Sequence, residues 1–170
     1  KDPLANIHRE YGDPLMEVIL GDITKQIEAV TGISLWPTLS FCYGYQKGNE
    51  LMAHKDRASC EIVVSLKIGC DEQYKKDFDD WPLYFKHQEK SQNVQLDVGD
   101  ALIIKGHEIE HWREPFEGEW FASAIFAFVD KNGKNAYQKF DQRKKLGKPH
   151  IGIFRWYGRM LWEKYKPNLM

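Results

Sequence analysis

Two hydrophobic rhythms run through the first half of the chain. Leu15, Ile19, Ile23, Ile27 and Val30 recur at spacings of three and four, which places them on one side of a helix. Asp13 is the expected N-cap and Pro14 falls in the first turn, where its missing N–H costs nothing. Gly32 supplies the stop. Through that stripe the helix is expected to pack on a sheet, with Gly21 as a weak point where it could divide in two. From Leu35 the period falls to two: Leu39, Phe41, Tyr43 and Tyr45 alternate with Thr38, Ser40, Cys42 and Gly44. This predicts a strand, and the turn residues Gln46-Lys47-Gly48-Asn49 predict a hairpin leading into Leu51 to Asp56.

Downstream, Cys60 to Ile68 (CEIVVSLKI) is rich in β-branched residues and bounded by Gly69, whereas the polar stretch Cys70 to Asp80 reads as a surface loop. Further short strands are expected at Trp81 to His87, Val94 to Val98, Ala101 to Lys105, Glu108 to Arg113 and Trp120 to Val129. Turn signals such as Glu89-Lys90-Ser91, Gly99-Asp100 and Glu117-Gly118 separate most of them. Short strands at this spacing predict a mainly β fold with flanking helices, closed as a barrel or sandwich. The expected organisation is a single domain over 1–170. It comprises an N-terminal helical region (1–34), a β core (35–130) and a basic C-terminal extension (131–170), in which Phe154 to Lys166 fits a helix.

Composition narrows this picture. With 170 residues, 42% hydrophobic and 14% aromatic, the chain can bury one sizeable core but not two. No apolar run is long enough to span a bilayer and Lys1-Asp2-Pro3 opens no signal region, so a cytoplasmic, membrane-free protein is expected. Cys42, Cys60 and Cys70 fit no zinc spacing and read as reduced, buried thiols. The formal net charge of -1 hides a split. Residues 131–170 hold eleven Lys and Arg against two acidic residues, a net +9, leaving -10 on the first 130. That asymmetry predicts an acidic partner for the tail, or a tail folded against its own acidic body.

The candidate chemistry lies in Leu51-Met52-Ala53-His54-Lys55-Asp56. On a strand His54 and Asp56 share one face, and a distant histidine would complete a metal site. His111 is the preferred third ligand, because in Glu108 to Pro115 the alternation puts Ile109, His111 and Arg113 on one face. His107, after Gly106 at a strand end, is the rival. Two histidines and one carboxylate on one side of a metal leave the opposite side open, the arrangement of non-haem iron(II) oxygenases. His8, His87 and His150 have no partner pattern.

Several elements in order carry a family resemblance: Tyr43-Gly44-Tyr45-Gln46-Lys47-Gly48-Asn49-Glu50-Leu51 leading to His54-Lys55-Asp56, then Gly99-Asp100-Ala101-Leu102-Ile103-Ile104, then His111, Pro115 and Gly118. Over about residues 14 to 130 the chain resembles the iron(II)/2-oxoglutarate-dependent dioxygenases, and is most similar to their prolyl-4-hydroxylase-like branch. The resemblance implies a double-stranded β-helix, a jelly-roll or cupin-like barrel. It implies iron bound by His54, Asp56 and His111, Tyr45 in the cosubstrate pocket, and O2-dependent hydroxylation coupled to decarboxylation of 2-oxoglutarate to succinate. An aspartate at position 56 argues against a halogenase, where that position would stand open for halide. In that branch an arginine or lysine usually follows the distal histidine to meet the far carboxylate of 2-oxoglutarate, where this chain has Trp120, Phe121 and Ala122. A buried dicarboxylate needs a cation, and the replacements rank Arg113, Lys67, Lys86.

Substrate class stays open at this level between a small molecule and a protein side chain. One alternative is a cupin-like metal-binding module without turnover. Another is a nucleic-acid-binding module, in which basic residues interleaved with Phe154, Trp156, Tyr157 and Trp162 meet phosphates and bases. The plainer reading of that tail, aromatics packed on the barrel, is preferred because no nucleic-acid fold surrounds them.

Overall fold

The computed structural model describes residues 7–73 and 81–147. Its one long helix, α1 (Pro14–Thr31), forms where the three-and-four spacing predicted it and runs unbroken through Gly21. Asp13 caps it by accepting from the Leu15 and Met16 amides, and Gly32 ends it in the left-handed conformation at φ 69°. The buried face is rotated from the expected one. Ile27 of the expected stripe is buried and Ile19 and Ile23 pack beside it, but Leu15 and Val30 are 63% and 73% exposed, and Leu20 and the carboxylate of Glu17 are buried in their place. An ion pair inside that face, absent from a purely apolar stripe, accounts for the rotation.

Among the described residues nine strands form two sheets. The larger has the order β1 (His8–Tyr11), β2 (Leu35–Gln46), β9 (Trp120–Asp130), β4 (Ile62–Cys70), β7 (Ala101–Ile104). The smaller has the order β3 (Leu51–His54), β8 (His111–Arg113), β5 (Leu83–His87), β6 (Lys90–Val94). Neighbouring strands within each sheet pair antiparallel. β2 and β3 therefore do not form the expected hairpin: the turn at 46–49 passes the chain from one sheet to the other. β1 was not foreseen, and β6 replaces the strand expected at Val94 to Val98, because the turn falls on Gln88 and Glu89, both at positive φ.

The larger sheet is buried on both sides. On the helix side Ile62, Val64, Ala124, Phe126 and Phe128 pack with Leu20 and Ile27 of α1. On the other side Val63, Leu39, Ala127 and Ile104 form a second cluster, with Phe85 of the smaller sheet packed against it. β2 serves both faces because its pairing with β9 shifts register between Pro37 and Leu39. Leu35 and Leu39, four residues apart, would share a face on a regular strand. The bulge puts Leu35 toward α1 and Leu39 into the other cluster. Phe41, Tyr43 and Tyr45 then follow Leu39 toward the space between the sheets.

Beyond β9 the chain folds back. Ala136–Gln142 forms a kinked pair of 3-10 turns, here called the strap, and Leu146 packs against the α1 cluster. Lys131 meets Glu28 at 2.8 Å, and Arg143 meets Glu17 at 3.0 Å. The described part of the basic extension is thus folded against the acidic body. The helix expected at Phe154 to Lys166 lies outside the described residues, as do 74–80 of the expected surface loop; Cys70 belongs to β4. Cys42, Cys60 and Cys70 are free thiols. No helix among the described residues is long and apolar enough to cross a membrane.

Candidate metal centre

His54 and His111 are direct cross-strand partners of β3 and β8. Pairing places Cβ atoms on the same face about 5 Å apart, and the two rings lie 4.5 Å apart between centroids. A second register shift, between Leu51 and His54, lets both of these residues face the cavity although three positions separate them. Asp56 lies beyond the end of β3, so strand alternation does not aim it. Its amide donates to the Gly106 carbonyl at 2.9 Å, which turns the carboxylate back over the histidines. The Asp56 Oδ1 lies 3.4 Å from His54 Nε2, and Oδ2 lies 3.8 Å from His111 Nε2.

Each imidazole is oriented from behind. His54 Nδ1 donates to the Met52 carbonyl at 2.8 Å and His111 Nδ1 to the Ile109 carbonyl at 2.9 Å. A carbonyl only accepts, so the ring proton sits on Nδ1 and both Nε2 lone pairs converge on the carboxylate. In the neutral form of both rings, facing lone pairs and a carboxylate repel unless a cation, whether a proton or a metal ion, stands between them. The three ligand atoms lie within 4.8 Å of one another. Gly106 completes the cradle: a Cβ there would stand 2.1 Å from Asp56 Oδ2 and 2.9 Å from Val63 Cγ2. The donor set therefore fits a divalent metal that takes imidazole and carboxylate.

Protonation differs between the two rings. Burial pulls the His54 pKa down, but the Asp56 carboxylate and the Met52 carbonyl outweigh it and hold it above the ordinary value. For His111 burial dominates over Asp56 and lowers the pKa, with His54 and Arg113 adding to the effect. His111 is accordingly neutral at pH 7, the form a metal requires.

The triad opens on a cavity between the sheets, lined by Tyr43, Tyr45, Ser65, Ser123 and Arg113. Arg113 is buried, lies over the Trp81 and Phe121 rings at 4.7 and 5.0 Å, and donates to the Trp81 carbonyl. Tyr45 packs edge-on against Trp81, and burial pushes its hydroxyl pKa up to about 12, so it stays a proton donor. Lys67 is also inside, 2% exposed, but its Nζ donates to the Leu96 carbonyl at 2.9 Å and it does not line the cavity. Lys86 pairs with Glu89 at 3.2 Å on the surface. His107 turns away, its Nδ1 3.4 Å from the Glu61 carbonyl oxygen. His8 and His87 are exposed, and His150 lies outside the described residues.

Sequence reasoning missed Gly106, Tyr43, Ser65 and Ser123. The two serines carried a usable signal, each the one hydroxyl inside a largely apolar strand.

No family model matches the chain, and no curated protein matches it in sequence. Solved structures do match in fold. A 2OG-Fe(II) oxygenase family oxidoreductase from Burkholderia pseudomallei is similar at TM-score 0.61 and 16% identity, over 78% of this chain and 73% of that one. A prolyl-4-hydroxylase from Pseudomonas putida is similar at TM-score 0.59 and 15% identity, over 73% and 72%. The viral collagen prolyl hydroxylase of Paramecium Bursaria Chlorella virus-1, solved as a 2OG complex, is similar at TM-score 0.55 and 10% identity, over 72% and 78%. At these identities the likeness is one of fold, and the fold is the double-stranded β-helix.

Proposed function

We propose that this chain is a non-haem iron(II) and 2-oxoglutarate-dependent oxygenase that hydroxylates a small molecule or a protein side chain. The observation that carries the reading is the convergence of two Nε2 lone pairs and one carboxylate, within 4.8 Å of one another, at a cavity that also holds a buried arginine. His54, Asp56 and His111 would hold the metal. Bound there, iron(II) supplies oxidation of a substrate C–H bond by O2, coupled to conversion of 2-oxoglutarate to succinate and carbon dioxide.

The remaining work falls to the chain. Arg113 meets the far carboxylate of the cosubstrate, since a dicarboxylate buried without a cation costs several kcal/mol, on the order of 3–5. Its guanidinium is held flat by Trp81 and Phe121, so little rotamer freedom is lost on binding. Tyr45 donates its hydroxyl proton to the same ligand, and Trp120, Phe121 and Ala122 stand where the branch usually carries its clamp. Lys67 is the second candidate cation, engaged with Leu96. The aromatic walls exclude water from the reacting centre. A reading as a metal-binding module without turnover rests on that displaced clamp.

Anaerobic addition of iron(II) and 2-oxoglutarate distinguishes the two. The oxygenase reading expects a weak visible charge-transfer band, then succinate on admitting O2, with both lost in Asp56→Ala. No band at saturating ligand rules it out.

A further inference from the structure

The loop that carries Asp56 is gripped from outside the barrel. Arg57, the next residue, donates from Nη1 and Nη2 to the two carboxylate oxygens of Asp141 at 2.8 and 2.7 Å. The Tyr11 hydroxyl donates to Asp141 Oδ2 at 2.8 Å. Asp141 is 2% exposed and belongs to the strap, which follows β9. A second tether lies alongside. Arg143 donates to the Thr38 carbonyl at 2.9 Å, and the Thr38 hydroxyl donates to the Ser59 carbonyl at 2.7 Å. The turn is closed from within by the Cys60 amide on the Arg57 carbonyl at 2.9 Å. Arg57 is thus held by a residue 84 positions away in sequence, and Ser59 by Thr38 of β2, whose carbonyl Arg143 anchors.

The strap's backbone points the same way. Phe140, Asp141 and Gln142 stand at φ 54°, 54° and 59°, three consecutive non-glycine residues in the left-handed region. Such a run persists only where surrounding contacts over-determine it. At Asp141 those contacts are Arg57 and Tyr11; beside it Arg143 donates to Glu17 and to the Phe140 carbonyl. The strain falls on the residue that grips the loop next to Asp56.

We propose that the strap is a positioning element for the metal centre: the Asp141–Arg57 pair holds the turn after β3 so that Asp56 stays aimed at His54 and His111. Asp141 is a positioning residue and not a ligand. The inference rests on the metal-site reading above. Asp56 has one further backbone restraint, its amide on the Gly106 carbonyl, and that bond fixes one end of the residue only. The Asp141–Arg57 pair fixes the other end.

The test uses the full chain with Co(II) as the probe, read by its d–d absorption, and hydrogen exchange of the Asp56 amide in metal-free protein. Asp141→Asn is expected to weaken Co(II) binding by about 10-fold or more, in the range for partners behind metal ligands, and to change the band shape. It is also expected to speed exchange at Asp56 while amides of the β4–β9 pairing keep their protection. Arg57→Lys, a milder change at a half-exposed side chain, removes the bidentate fork and is expected to act in the same direction. It serves if the first variant does not fold. Folded variants with unchanged Co(II) affinity, band shape and Asp56 exchange would overturn the proposal, even with a lowered Tm, since a purely structural strap affects only stability. A wild-type chain that takes no Co(II) would instead overturn the metal reading, and the strap's role with it.

Discussion

At the scale of single residues, the candidate ligand types were legible before their geometry was. Histidine and aspartate announce themselves by chemistry, and alternation around His111 put it inside with Arg113, both of which are buried. Gly106 was not legible, because its role is a close approach to a residue 50 positions away that no local pattern reports. Gly106→Ala places a methyl 2.1 Å from Asp56 Oδ2. It is expected to reduce Co(II) affinity by roughly 100-fold, at a stability cost of only about 1–3 kcal/mol. A Co(II) titration beside a thermal melt reads both, and unaltered affinity would show that the cradle is dispensable. Arg113→Met is expected to leave Co(II) binding in place and raise the KM for 2-oxoglutarate about 10- to 100-fold, the loss of one charged hydrogen-bonding group. If Lys67→Met does so instead, the clamp is Lys67.

Among elements, α1 and β2 were readable from their periods, whereas β4 and β9, buried on both faces, were readable as apolar runs rich in β-branched and aromatic residues, and β7 as a short apolar run between turn signals. β1 (HREY) and β6 (KSQNV) are mostly exposed and offered no period. The expected β2–β3 hairpin failed for another reason: a turn signal fixes that the chain reverses, not which sheet it rejoins. The register shifts in β2 and β3 were likewise invisible, since a bulge is specified by the partner strand. One buried tie between elements is Glu17 of α1, whose Oε2 lies 3.0 Å from Arg143 and whose carboxylate also accepts from Ser40 and the Gly147 amide. Both charges are almost fully buried. Glu17→Gln removes the anion that compensates the buried guanidinium charge and is expected to cost about 3–5 kcal/mol. Urea unfolding measures this, and a loss below 1 kcal/mol would place the pair among surface bridges.

For the whole molecule, fold class was legible from the count and spacing of strands, whereas strand order was not, because pairing partners lie far apart in sequence. One charge cluster joins helix, sheet and chain end: Glu28 accepts from Lys131, the Leu35 amide and Lys25 at 2.8, 2.8 and 3.1 Å. These bonds, that to Lys131 foremost, hold the Glu28 pKa down to about 2. A depressed carboxylate stabilises the fold above its unfolded pKa, about 4.3, and that contribution disappears as pH falls from there toward 2. Glu28→Gln is therefore expected to flatten the decline of Tm across that window while changing its slope little above pH 6. Identical acid profiles for the two proteins would contradict this.

β8 is three residues long, yet its two ends carry the distal histidine and the arginine. On other strands a cation would be set against the metal across hydrogen bonds or between sheets, and its distance would vary as those layers breathe. Here the interval is one pleat repeat of a single strand, about 6.6–6.8 Å along the chain. Under the proposed function the backbone itself is the ruler, and the length of the dicarboxylate such a site would accept is gauged by covalent geometry.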